Sequence, residues 1–285
     1  MSFRPASVTS EGGHWYDRSG VQVSTVIGSK GQSVKPDLRH ARKFGFAPGV
    51  TTILKAAHKE QLVQYRERQV LLASLTLPQI AGESHDEWVK RIMVDAKTHA
   101  IEAAARGSEI HAQIENELKL ESSQNPWVLA VRDALSVFGV SLGAWRCEMP
   151  CVSDYGYGTK SDLSCDATEV DMSSEAKDFA ALNALAAGDV RRLQVVLDFK
   201  TKDGDLSDVA LYPEHHQQLA ATAQALGLPN AQCGIVFVSR TEPKARLLMA
   251  DDEDIQHGWQ VFKALLNYWQ TVNKYRPEWA TNIYD

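Results

Sequence analysis

Asp198 and Lys200 stand in the run Val195-Val196-Leu197-Asp198-Phe199-Lys200-Thr201, where three consecutive aliphatic residues lead into an acid, an aromatic and a lysine. The run is short, rich in β-branched residues and bounded by polar ones, so it predicts a buried strand rather than a helix. Ions contribute nothing to the packing of such a strand and are costly to desolvate unless paired or coordinated. Two positions apart, Asp198 and Lys200 share a face of the sheet. A carboxylate beside an ammonium at the end of an apolar strand has the chemistry of a metal ligand next to a cation that activates water or neutralises charge.

Other segments supply residues of matching type. His111 falls on a helical stretch, Asp162 on a strand after Gly158, and Gln217 or Gln218 near the start of the helix that follows the Asp198 strand. Two carboxylates with an imidazole suit one or two divalent cations that keep open positions for water and phosphate oxygens. The imidazole makes Mn²⁺ as suitable as Mg²⁺. Lys200 then orients water or stabilises charge on phosphorus, and the glutamine holds the lysine, a water or a phosphate. Read singly, His111 is an ordinary core-edge histidine, Asp162 a partner for Lys160, and Asp198 with Lys200 a salt bridge. The order His, Asp, Asp-x-Lys, Gln is what sets them apart.

The elements that must position these residues alternate in type. His14-Trp15-Tyr16 and Val21–Ile27 flank the turn-rich Asp17-Arg18-Ser19-Gly20 and read as a hairpin. Pro48-Gly49 marks a turn before a helix starting near Ile53. Thr51 or Thr52 can cap it or contact a phosphate. Residues 60–75 read as a helix, and a long helical region runs from Ser84 to about Leu120, interrupted at Gly107. Within it Ile110, Ile114 and Leu118 recur every fourth residue and face the core, with His111 and Glu115 in the adjoining row. A helix near Trp127–Phe138 precedes a strand pair, Trp145–Val152 and Tyr155–Cys165. Residues 166–194 form an insertion with a helix at Ser174–Ala187. The Asp198 strand, a helix from His215 to Leu226, the strand pair Cys233–Ser239 and Ala245–Ala250, and a helix from Asp254 to Lys274 complete the chain. This divides it into an N-terminal hairpin and basic connection over 1–47 and a core over 48–285, with the insertion near 166–194.

The 285 residues carry a net charge of −6 and are 44% hydrophobic, enough for a sizeable core and unlike a generally basic protein that coats nucleic acid. Local charge differs: residues 35–70 hold eight basic side chains against three acidic ones, a net of +5. Arg42, Lys43 and Lys55 lie in that segment and are candidate nucleic-acid contacts. No apolar run reaches membrane-span length, and Met1-Ser2-Phe3-Arg4-Pro5 has no apolar signal core, so a soluble intracellular protein is expected. The four cysteines lack a C-x-x-C pair and read as free thiols of a reducing compartment.

Gly107-Ser-Glu-Ile-His111, Gly158-Thr-Lys-Ser-Asp162, Asp198-Phe-Lys200 and Gln218 in Gln-Leu-Ala-Ala-Thr222 resemble the motifs of the PD-(D/E)xK nuclease superfamily. The nearest branch is the exonucleases of phage recombination systems and their relatives, which include the mitochondrial genome-maintenance exonuclease and the nuclease domains of bacterial recombination helicases. Val50-Thr-Thr-Ile-Leu54 is similar to a segment ahead of the helical region in these enzymes. The resemblance covers about residues 48–240. It implies an α/β fold in which a mixed central β-sheet flanked by helices forms a restriction-endonuclease-like core, with Asp162 and Asp198 converging at one end. It implies Mg²⁺ or Mn²⁺ held by His111, Asp162, Asp198 and the Phe199 carbonyl, with Lys200 catalytic and Gln218 as the helical glutamine. Glu148 would match an acidic residue on the strand before the first aspartate, and Glu115 would support the ligands from one turn beyond His111.

The chain departs from the family pattern at several points. Thr222 stands where a tyrosine is common and Gly49 where a serine is expected. Asp198 lies 36 residues after Asp162, farther than a tight hairpin needs. The cysteine pattern does not match the iron–sulfur branch, so no cluster is expected. The expected activity is metal-dependent DNA exonuclease action in recombination or replication, phage-derived and in the cytoplasm of a bacterial host, with a single-strand annealing protein as a partner of the family. The competing readings are a structure-specific or nonspecific endonuclease and a non-catalytic DNA-binding module. Polarity, strand preference and oligomeric state are not fixed by the sequence.

Overall fold

The computed structural model describes residues 13–57, 60–167 and 193–284. The expected helix at Ser174–Ala187 lies outside the described residues. The described residues up to Ala57 and from Ile114 onward form one compact unit, and those between them a second. The elements in chain order begin with β1 (Trp15–Tyr16), β2 (Gln22–Val23), β3 (Val26–Ile27), β4 (Ser33–Val34), α1 (Leu38–Phe44), β5 (Ala47–Pro48) and α2 (Val50–Leu54). They continue with α3 (Glu60–Thr76), α4 (His85–Glu117), α5 (Pro126–Leu135), β6 (Trp145–Ser153), β7 (Tyr157–Ala167) and β8 (Leu193–Lys202). The last are α6 (Pro213–Ala225), β9 (Gln232–Ser239), β10 (Ala245–Met249) and α7 (Asp252–Asn273).

The first unit is built on a five-stranded mixed sheet in the order β10-β9-β8-β7-β6. Its β6–β7, β7–β8 and β9–β10 pairs are antiparallel, while β8 and β9 run parallel and are joined through α6. That crossover is what a parallel pair requires. Val195–Phe199 and Cys233–Ser239 are buried without interruption, as expected for inner strands covered on both faces. The fold is therefore α/β, as its sequence indicates.

Helices α6 and α7 close over the sheet at short range. A Cβ at Gly258 would sit 2.6 Å from the His216 carbonyl carbon, so only glycine permits this approach. Tyr157 packs edge-on against Phe262 with ring centroids 4.9 Å apart. Helix α5 is tied to the sheet by the Trp127 indole N–H, which donates to the Ser239 carbonyl at 2.7 Å. Among the described residues, no helix is long and apolar enough to cross a membrane.

The N-terminal hairpin rests directly on β7. β1 pairs antiparallel with both β2 and β5, and Asp17 Oδ1 accepts from the Ser19 and Val21 amides to form the turn. The single strand expected over Val21–Ile27 is two short ones, because β3 turns away from β1 and pairs with β4. The sequence boundary at residue 47 falls inside β5. A Cβ at Gly158 would meet the Tyr16 ring at 2.3 Å, so the glycine is the seat for that ring.

In the second unit, α4 begins with a reciprocal cap. Glu87 Oε2 accepts from the Ser84 amide and hydroxyl, and the Ser84 hydroxyl accepts from the Glu87 amide. The Arg91 guanidinium donates to both Glu83 oxygens at 2.9 Å. The interruption expected at Gly107 does not occur: α4 runs through it. A mid-helix glycine costs only about 1 kcal/mol, which the alanine-rich turn before it and the buried Ile110 after it offset.

Replacing Gly158 with Ala should overpack the Tyr16–β7 contact and cost about 1–3 kcal/mol. Urea unfolding measures this, and an unchanged midpoint would mean that Tyr16 does not sit on β7 in solution.

Candidate metal centre

Asp198 and Lys200 leave β8 on one face, as their spacing requires, and lie together. Lys200 Nζ is 2.5 Å from Asp198 Oδ2. The Gln218 side chain from α6 closes the group: its Nε2 donates to Asp198 Oδ1 at 2.6 Å, and its Oε1 accepts from Lys200 Nζ at 3.2 Å. Of the two glutamines left open by the sequence, Gln218 is the one that makes these bonds. The salt bridge read as the ordinary alternative for Asp198 and Lys200 is present and forms part of this larger group.

Asp162 stands on β7 beside this triad. The pairing of β7 and β8 stops at Leu163 opposite Leu197, one step short of Asp162 and Asp198. There the Phe199 amide donates to Asp162 Oδ2 at 2.8 Å. A carboxylate thus takes the place of a backbone acceptor where the two strands part. The Phe199 N–H is the backbone group that meets the first aspartate.

Glu148 brings a third acid from β6. Cys147 faces Leu163 and Met149 faces Ser161, so Glu148 lies opposite Asp162. Each offers a carboxylate oxygen, and the two lie within 4.8 Å of one another. Glu148 holds a left-handed backbone angle, φ 53°, inside a strand. A non-glycine residue there carries about 1–3 kcal/mol of strain, a cost typical of positions that aim a functional side chain. Lys160 forms an ion pair with Glu148. Lys160, which the sequence had offered as a partner for Asp162, meets Glu148 across the strand pair.

The electrostatics follow from burial. Asp198 is 7% exposed. Desolvation lifts its carboxyl to about 7, with Lys200 opposing the rise and the Asp162 charge adding to it. For Lys200, burial acts to lower the ammonium, but Asp198, followed by Asp162 and Glu214, reverses this and the net direction is upward. Burial also lifts the Cys147 thiol, with Lys119 opposing and Glu115 adding to the rise, which places Glu115 within the field of β6. All four cysteines are free.

The remaining expected residues are placed as follows. His111 is half-buried on α4, in the second unit, one turn ahead of the fully buried Ile114. Thr51 and Thr52 are not caps: α2 starts at Val50 behind Gly49, leaving Thr51 exposed on the helix and Thr52 buried within the fold. Arg42 donates to the Asn273 carbonyl at 2.6 Å, and the Lys43 ammonium lies 4.9 Å from the centre of the Phe44 ring. Lys55 is exposed at the end of α2. Thr222, the departure from tyrosine, is buried with its hydroxyl 3.3 Å from that of Thr159 on β7. Sequence reasoning missed Lys160 as a member of the site. Its signal was the alternation that sets Lys160 and Asp162 on one face of β7.

Glu148, Asp162 and Asp198 thus lie on three adjacent strands and offer hard oxygen donors of the kind Mg²⁺ and Mn²⁺ accept. No family model matches this chain, and no curated protein matches it.

Asp198 gives the protein a defined pH dependence. Between the ordinary 3.8 and about 7, the folded chain holds a proton that the unfolded chain has released. This group's contribution to stability is therefore present at acid pH and lost as pH rises through that window. In EDTA, the difference in unfolding free energy between wild type and Asp198→Asn should change across it. A flat difference would show that Asp198 ionises as an exposed carboxylate does.

Proposed function

We propose that this chain is a metal-dependent DNA exonuclease on a PD-(D/E)xK core, acting in recombination or replication and derived from a phage. The observation that carries this reading is the acid row Glu148, Asp162 and Asp198, with Lys200 held between Asp198 and Gln218. The mixed sheet, with both aspartates where β7 and β8 part, is compatible with that core.

In this reading Asp162 and Asp198 hold Mg²⁺ or Mn²⁺ and Glu148 borders the site. A bound cation of this kind supplies Lewis-acid polarisation of a phosphodiester and a nucleophilic water at neutral pH. The protein groups divide the remaining work. Burial lowers the Lys200 ammonium and its carboxylate neighbours more than restore it, which suits it to stabilising negative charge on phosphate. Gln218 fixes the ammonium and the Asp198 carboxylate in one geometry, so that little reorganisation is needed when phosphate enters. Asp162 is anchored by the Phe199 amide, which fixes the direction of its carboxylate. A single-strand annealing protein is the partner this role calls for.

The test is cleavage of linear duplex DNA labelled at one end, with Mg²⁺, Mn²⁺ or EDTA, beside a covalently closed circle. The expected result is metal-dependent loss of the linear duplex with the circle intact, no cleavage by Asp198→Asn, and about 10²–10³-fold slower cleavage by Lys200→Met. Nicking of the circle would make the enzyme an endonuclease. DNA binding without cutting under either metal would make the chain a non-catalytic module.

A further inference from the structure

Of the expected contacts, Arg42 is engaged by the Asn273 carbonyl, Lys43 lies over Phe44 and Thr52 is buried. Lys55 has different company. The Gly49 amide at the head of α2 donates to the His14 carbonyl at 2.8 Å, and a Cβ at Gly49 would touch His14 Cβ at 3.2 Å. Gly49 also bridges to Gly158 on β7. Two residues beyond Gly158, about 7 Å along an extended strand, stands Lys160, which reaches Glu148 at the candidate metal centre. Lys55 ends the single turn and a half of helix that begins at Gly49.

We infer that Lys160, His14, Lys55 and Lys35 form a track that binds the phosphate backbone of a DNA strand leading to the acid row. All four side chains are exposed. Burial holds the His14 imidazole below its ordinary pKa, and Lys55, Lys160 and Lys35, in that order, lower it further. Lys55 and Lys160 are tied to that residue through Gly49, and Lys35 adds its charge to theirs. The Gln22 amide nitrogen lies 2.6 Å from His14 Nδ1. An amide N–H can only donate, so Nδ1 accepts and the neutral ring carries its proton on Nε2 as a donor. Neighbouring cations repel one another, and a polyanion relieves that repulsion and releases its own counterions on binding. This gives the site a ligand class, a phosphodiester strand, and an entry direction: from the hairpin side, past Lys160, to Glu148 and Asp162. The proposal rests on the nuclease reading for what happens at the end of the track.

The experiment measures binding of fluorescein-labelled single-stranded and duplex DNA to the full chain in EDTA, by anisotropy, across a salt series. Lys35→Gln, Lys55→Gln and Lys160→Gln should each weaken binding roughly fivefold and flatten the plot of log affinity against log salt by about one unit. Lys160→Arg, which keeps the charge, should bind as wild type. Lys244→Gln, which removes a surface charge paired with Glu242, should change nothing. Native affinity and slope in the Lys35 and Lys55 variants would overturn the track. If those variants bind normally while the wild type cleaves, the track alone falls. If binding depends on the lysines but no metal supports cleavage, the nuclease reading falls and the track stands. A wild type that binds no DNA removes both.

Discussion

A buried carboxylate held between an ammonium and an amide governs the arrangement of this protein. Asp198 sits in an inner strand with almost no access to water, where a lone charge is untenable. Lys200 and Gln218 make it tenable by taking one oxygen each. Because Gln218 belongs to α6, the ion pair also fixes how that helix lies over β8. The Thr159–Thr222 hydroxyl contact and the bond from the Tyr157 hydroxyl to the Ala221 carbonyl secure the same helix to β7 one turn later. The polar group and the apolar packing around it thus specify a single register between the helix and the sheet.

The three acids need not share the protein with equal ease. Asp198 is stabilised by neighbours on its own strand and on α6. Asp162 draws on a backbone amide released where two strands part. Glu148 depends on a backbone angle that an ordinary strand residue avoids. Lysines are set against the outer two acids, Lys160 against Glu148 and Lys200 against Asp198. In our reading these ammonium groups balance the acid row before any cation or phosphate reaches it.

Much of the frame was legible because its signals are local. Val195–Leu197 announced an inner strand, and the spacing of Asp198 and Lys200 placed them on one face. The long helix, the β6–β7 hairpin and the last helix were visible in periodicity and turn residues. What could not be read depended on distant register. Whether Lys160 meets Asp162 or Glu148 is decided by how β6 pairs with β7, which the chain's local pattern does not encode. Thr51 and Thr52 resembled caps, yet the backbone enters helix two residues earlier, because Gly49 is drawn to the His14 carbonyl. Gly107 suggested a break that its alanine-rich surroundings suppress. The choice between Gln217 and Gln218 awaited the phase of α6 over the sheet.

The N-terminal hairpin has a consequence for how the protein is made. Trp15 meets Trp269 with ring centroids 6.2 Å apart, Arg42 grips the Asn273 carbonyl, and the Trp279 indole donates to the Gly45 carbonyl. The first strands are thus completed by residues that follow far later in the chain. Contacts so far apart in sequence are slow to form, and a nascent chain cannot make them until α7 and the turn after it have left the ribosome. Synthesis therefore leaves Tyr16 and Gly158, and with them the wall that carries Lys160 and Asp162, without their final support until the residues through Trp279 have emerged. In our functional reading, this timing keeps a DNA-cutting centre unfinished until that late stretch has been made.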